Sequence, residues 1–175
     1  QFELTAIDLS EFVSEMAHLL EVSISKKAAL HCQFTENLQA IEGDPTQIRQ
    51  IIMNLITNAS DAIGNGTGVI SVSTGAIGFD GALRDGFRVN DRAASDCGYV
   101  FLSVADTGCG MDRETQDKVF DPFFTTKFTG RGLGMAAVQG IVRGHKGAIQ
   151  IQSDPGKGTT VKVLFPALGR HAESA

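Results

Sequence analysis

The sequence predicts an α/β two-layer sandwich, a mixed, mostly antiparallel sheet covered on one face by about three helices. Three observations carry this. Two helical patterns come early, near residues 9–28 and 44–63. From residue 69 onward strands and helices mix without the regular βα alternation of a doubly wound parallel sheet. The chain then closes on a strand pair, 148–153 and 159–165, turning through Asp154-Pro155-Gly156.

The elements follow from local chemistry. Asp8 followed by Glu11 resembles a capping box, and Phe12, Met16, Leu19, Leu20 and Ile24 recur at helical spacing. Residues 30–35 alternate like a strand, and 39–42 are expected to pair with them. Asp44-Pro45 then Gln47 is a helix start, with an N-cap, a proline in the first turn and a box partner three residues on. That helix stops at Gly64-Asn65-Gly66. Residues 69–74 and 99–105 read as strands. Between them, 75–98 is rich in glycine and charge without a period and reads as a long loop or an extended hairpin tip. A short helix is expected over 113–120, a mobile segment over 121–131 and a helix over 133–143.

Length and composition bound the function. With 175 residues, 42% of them hydrophobic, the chain suits one globular domain with a real core. It is expected to occupy residues 1–167, with 168–175 as a disordered tail. The net charge of -5 argues against nucleic-acid partners and anionic membranes, and no apolar run is long enough to span a bilayer. Cys32, Cys97 and Cys109 are odd in number and lack metal-ligand spacing, which points to free thiols and a cytoplasmic setting. The chain opens on Gln1 rather than Met and is expected to be an excised domain.

On the second helix, Ile48, Ile51, Ile52, Leu55, Ile56, Ala59 and Ala62 form an apolar arc, and Gln47, Gln50, Asn54, Asn58 and Asp61 fall on a stripe at its edge. A solvated face accounts for the glutamines. It accounts less well for two asparagines in mid-helix, since asparagine is a poor helix former. Amide oxygens one turn apart suit a hard cation such as Mg²⁺. Residues 104–112 read Val-Ala-Asp-Thr-Gly-Cys-Gly-Met-Asp, with Asp106 held at the mouth of a buried strand before Gly108 and Gly110; Cys109 fills a turn position. Gly130-Arg131-Gly132-Leu133-Gly134 runs into a helix, whose N-terminus can receive phosphate. Phe120, Phe123 and Phe124 lie in the unpatterned segment between, and either pack on the core or close over a ligand.

In order, Asn54…Asn58, Asp106-x-Gly108-x-Gly110, Phe120-x-x-Phe123-Phe124, Gly130-x-Gly132-x-Gly134 and Gly158-Thr159 resemble the N, G1, F and G2 boxes and closing motif of sensor histidine kinase catalytic domains, over roughly residues 4–166. The resemblance implies a Bergerat-type ATP-binding fold. It implies that Asp106 accepts the adenine exocyclic amine, supported by Thr159 and a bridging water, while Gly108 and Gly110 let the backbone pass the base. It assigns Mg²⁺ to Asn58, supported by Asn54, and the phosphates to Gly132, Leu133 and Gly134. Asp61, Phe120 and Phe124 are included in the nucleotide site, and Lys127 and Arg131 are the cations nearest a γ-phosphate.

The implied reaction is transfer of the ATP γ-phosphoryl to a histidine on a separate dimerisation domain, and onward to a response-regulator receiver domain. His18, His31, His145 and His171 lack the phosphoacceptor context, so no autophosphorylation is expected alone. Two features depart from the pattern or set it apart. Ser60 and Asp61 stand where many relatives carry a basic residue, and Asn54 stands where hydrolytic relatives carry a glutamate base. The alternatives are a noncatalytic nucleotide-sensing module and an anti-sigma-type protein serine kinase.

Overall fold

A computed structural model describes residues 3–24, 26–89, 96–121 and 134–172. Its elements in chain order are β1 (Thr5–Ile7), α1 (Leu9–Leu20), a 3-10 turn (Glu21–Ser23), β2 (Ala28–Gln33), β3 (Ile41–Gly43), α2 (Pro45–Ile63), β4 (Gly68–Ile77), α3 (Phe79–Arg84), β5 (Tyr99–Asp106), α4 (Arg113–Lys118), α5 (Gly134–Gly144), β6 (Ala148–Asp154) and β7 (Gly158–Pro166). Five strands form a sheet in the order β2-β4-β5-β7-β6. Only β2 with β4 is parallel; the other pairs are antiparallel. The core lies between one face of this sheet and α1, α2 and α5.

Local signals place the helices. The Asp8 carboxylate accepts the Glu11 N–H at 3.2 Å and caps α1. The helix stops at Leu20, short of residue 28, because Ile24 turns extended and buries itself in the core. Asp44 caps α2 by accepting the N–H groups of Thr46 and Gln47 at 2.9 and 3.4 Å, with Pro45 in the first turn. Gly64, at φ +63°, ends it with its N–H on Ser60 O.

One expected strand pairing is corrected. Residues 39–42 do not pair with the strand at 30–35. Instead β3 pairs with β1, and β2 pairs parallel with β4. β1 and β3 have three residues each, too few for an alternation signal, and the parallel pair needs the long crossover that α2 supplies. Of the two readings of 75–98, the extended hairpin tip holds, and it carries structure of its own. β4 pairs with β5 as far as Ile77↔Tyr99, and α3 follows. Ala82, Phe87 and Val89 then form a second cluster with Tyr99, Ala148 and Leu164. Tyr99 and Leu164 neighbour Val100 and Phe165, which belong to the main core, so strand alternation puts this cluster on the opposite sheet face. Six helical residues without a side-chain cap leave little trace in sequence.

The ends of the domain are tied together. Ala40 N–H donates to Arg170 O at 2.7 Å, Leu168 N–H donates to Ala40 O at 2.8 Å, and His171 Nδ1 lies 3.0 Å from Leu38 O. The tail expected from residue 168 is therefore part of the packed structure as far as His171. His145, buried beyond α5, faces Ile141 O through Nδ1 at 2.8 Å and accepts the Asp44 N–H through Nε2 at 3.1 Å. One side chain thus joins the end of α5 to the start of α2.

The Phe87→Ala chain is expected to lose about 3 kcal/mol of stability in denaturant unfolding, since a buried aromatic is removed; a free loop would show almost no loss. The Glu3, Gln47 and Thr46 N–H groups hold the Asp44 carboxyl below its ordinary 3.8, and the Thr115 N–H does the same for Asp112. Depressed folded-state values give stability that is complete above about pH 4–5 and is lost as the pH falls through them. Asp44→Asn keeps an acceptor and removes the charge. Its melting-temperature deficit at pH 7 should shrink below about pH 3, as melts across the acid range would show.

Candidate nucleotide site

Strand alternation assembles one side of the site. Val104 and Leu102 of β5 face the helices, so Asp106 does too. On β7 the same face carries Val161 and Val163, hence Thr159; on β6 it carries Ile149 and Ile151, hence Ser153. The register sets Thr159 directly opposite both Asp106 and Ser153. Three polar side chains therefore line up across the end of the sheet, on the face that α2 covers.

The loop leaving β5 is held at several points. Asp106 Oδ1 accepts the Gly108 N–H at 2.8 Å, which orients the carboxylate. Thr107 N–H donates to Val69 O at 3.1 Å, and its hydroxyl accepts the Val69 N–H at 2.9 Å. Cys109 N–H donates to Ala62 O at 3.1 Å in the last turn of α2, and Cys109 O accepts the Gly156 N–H at 2.7 Å. Gly108 lies so close to α2 that an added Cβ would sit 2.5 Å from the Ala62 carbonyl. Gly110 has φ +66° and faces the Asp154 carbonyl. The cysteine between them is exposed, and its backbone rather than its thiol is engaged.

The other side is built by α2 and α5. Asn54 Nδ2 donates to Gly134 O at 3.3 Å. A Cβ placed on Gly134 would lie 4.0 Å from Asn58 Nδ2. The mid-helix asparagines thus meet the start of α5. Ala62 stands four residues beyond Asn58, about 6 Å along the axis, so one helix serves both the asparagine end and the Asp106 end. Asp61 is exposed on the same helix, and Phe120 is half-buried against the main core. Phe124, Lys127, Arg131, Gly132 and Leu133 lie outside the described residues.

An ionised carboxylate only accepts hydrogen bonds, and both oxygens have acceptor capacity. Asp106 therefore suits an amine-bearing base set against a glycine-lined loop. The amide oxygens of Asn54 and Asn58 are hard donors of the kind Mg²⁺ takes. Sequence reasoning missed Ser153 and Gln116. Ser153 accepts the Met111 N–H at 2.8 Å. Gln116 Nε2 donates to Met111 O and Ser153 O at 3.0 and 2.9 Å, joining α4 to the loop and to β6. Ser153 could have been found by counting back across the 154–158 turn to the partner of Thr159; Gln116 left no such signal.

The family described as histidine kinase-, DNA gyrase B-, and HSP90-like ATPases matches over residues 43–169. Sensor kinase CckA of Brucella abortus is 34% identical over 164 residues, covering 93% of this chain and 17% of that protein. Sensor histidine kinase ZraS of Escherichia coli is 36% identical over 166 residues, covering 93% and 31%. The chain therefore spans between about a sixth and a third of the length of these relatives. The nucleotide-free catalytic domain of histidine kinase ThkA has the same fold, with a TM-score of 0.74, 27% identity and coverage of 94% of this chain and 96% of that one. ThkA in complex with the response regulator protein TrrA gives a TM-score of 0.69 at 25% identity, covering 96% and 43%. The chain belongs to the histidine kinase-, DNA gyrase B-, and HSP90-like ATPase family, and within it is similar to sensor histidine kinases and to the catalytic domain of one histidine kinase.

Proposed function

We propose that the chain binds Mg·ATP between the Asp106 loop and the asparagine stripe of α2, and presents the γ-phosphoryl to a histidine on a separate dimerisation domain. The observation that carries this is the alignment of Asp106, Thr159 and Ser153 at one end of α2, with Asn54 and Asn58 meeting Gly134 farther back along it. A base bound at Asp106 sends its phosphates toward Asn58 and the start of α5. There the helix N-terminus offers N–H donors to negative charge.

Each residue has a role in this reading. Asp106 accepts the exocyclic amine, with Thr159 and a water beside it. Gly108 and Gly110 admit the base. Asn58 holds the metal, and Asn54 fixes the α2–α5 junction through its bond to Gly134. Mg²⁺, when bound, neutralises phosphate charge. Gly132, Leu133 and Gly134 receive the phosphates, Phe120 and Phe124 flank the nucleotide, and Lys127 supplies a cation. Asp61, exposed on α2, is assigned to the nucleotide site in this reading. Catalysis here is positioning and charge neutralisation. An amide at position 54 cannot take a proton from water, so hydrolysis is slow and the phosphoryl group is kept for a protein acceptor.

The proposed partners are the histidine-bearing dimerisation domain and a response-regulator receiver domain; the ThkA–TrrA complex supports the second. The proposed compartment is the cytoplasm, and no helix among the described residues is long and apolar enough to cross a membrane. The catalytic domain is proposed to run on past residue 167 to His171, where Leu168, Arg170 and His171 are bonded to Ala40 and Leu38.

Calorimetric titration should show ATP binding with no measurable GTP binding. Asp106→Asn should weaken ATP by roughly 10- to 100-fold, the range of one hydrogen bond to a charged group in a partly buried site. ATP binding unchanged in that variant would refute the adenine role. Asn58→Ala should bring ATP affinity in Mg²⁺ down to the value in chelator and leave adenosine binding unaltered. Labelled γ-phosphate should pass from ATP to an added histidine-bearing dimerisation fragment and not to an anti-sigma antagonist; the reverse would establish the serine-kinase alternative.

A further inference from the structure

Three contacts converge on the hydroxyl of Ser153. Its Oγ accepts the Met111 N–H at 2.8 Å, lies 3.0 Å from the Gly158 carbonyl oxygen and lies 2.7 Å from Thr159 Oγ1. A hydroxyl has one proton and two lone pairs. The carbonyl only accepts, so the Ser153 proton goes to Gly158. The backbone N–H only donates, so one lone pair goes to Met111. The contact with Thr159 is left with the second lone pair, and only the Thr159 proton can fill it.

The Thr159 hydroxyl is thereby held with its proton on Ser153, and its remaining capacity is that of an acceptor alone. Gln116 secures the arrangement, since its amide hydrogens reach both Met111 O and Ser153 O. Thr159 stands directly opposite Asp106, itself an acceptor when ionised.

We propose that Ser153 is a specificity-determining positioning residue: by fixing the Thr159 hydroxyl as an acceptor opposite Asp106, it makes the base pocket select purines with an amine at C6 over those with a carbonyl there. The proposal rests on the adenine-pocket reading above. A Thr159 hydroxyl free to rotate could donate to a C6 carbonyl, directly or through water. Held by Ser153, it cannot.

The test is titration of ADP and IDP, whose bases differ in bearing an amine or a carbonyl at C6, into the chain and into Ser153→Ala, Ser153→Thr and Asp106→Asn. The preference for ADP over IDP should fall about three- to tenfold in Ser153→Ala, the range of one hydrogen bond. It should return in Ser153→Thr, which keeps the hydroxyl. A merely structural role would weaken both ligands alike and leave the preference unchanged, which would overturn the proposal. If the chain binds no ADP, or Asp106→Asn keeps the full preference, the adenine-pocket reading itself fails. Should Ser153→Ala not fold, Thr159→Val and Thr159→Ser decide. Loss of preference in the first and retention in the second support the proposal, and an unchanged preference in Thr159→Val overturns it.

Discussion

The close approach of Gly108 to the last turn of α2 is the constraint on which the site depends. A helix end normally leaves carbonyls without intrahelical partners. Here the Ala62 carbonyl receives the Cys109 N–H, and Gly108 lies where any Cβ would meet that same carbonyl. The contact fixes the loop after β5 against the helix. It thereby sets the distance between Asp106 on the sheet and Asn58 on α2. The apolar arc of α2, with Ile48, Ile51, Ile52, Leu55 and Ile56 buried, anchors the helix on the sheet, so the stripe at its edge is held by the core and not by the ligand.

The second support is the sheet's alternation. Asp106, Thr159 and Ser153 share a face only because β5, β7 and β6 are antiparallel in one register. A slip of one residue would turn each of them to the far side. There Tyr99, Leu164, Phe87 and Val89 form the second cluster. That cluster lies toward the opposite end of β5 and β7 from the polar site, and it lengthens the pairing of β4 with β5 to Ile77↔Tyr99. The segment between β4 and β5 therefore packs against the strand whose other end carries Asp106.

Much of this was legible in the residues. The Asp44-Pro45 start and Gly64 stop of α2 are local chemistry, and the helix observed runs between them. The closing strand pair and the strand ending at Asp106 were legible from alternation and turn residues. The glycines at 108 and 110 marked a loop needing close approach, and the structure supplies the reason at Ala62 and Asp154. Three-residue β1 was not legible, and β3 was read at 39–42 with the wrong partner, because pairing over so short a length comes from the partner. α3 was not legible for a similar reason: its burial depends on Tyr99, Ala148 and Leu164, two of them far along the chain.

The sequence by itself determined the order of the boxes and the chemical types within them: two amides on α2, a carboxylate before glycines, and a hydroxyl after a tight turn. Those are properties of neighbouring residues, and local periodicity exposes them. Only the tertiary structure decided which groups meet. Asn54 reaches Gly134 across 80 residues and Gln116 reaches Ser153 across 37. His145 joins α5 to the Asp44 backbone across 101. Hydrogen-bond direction was decided there too, because the proton of Thr159 is assigned by what else Ser153 binds. Such bonds act over a few ångströms, and no spacing along a chain reports them until the core has brought the elements together.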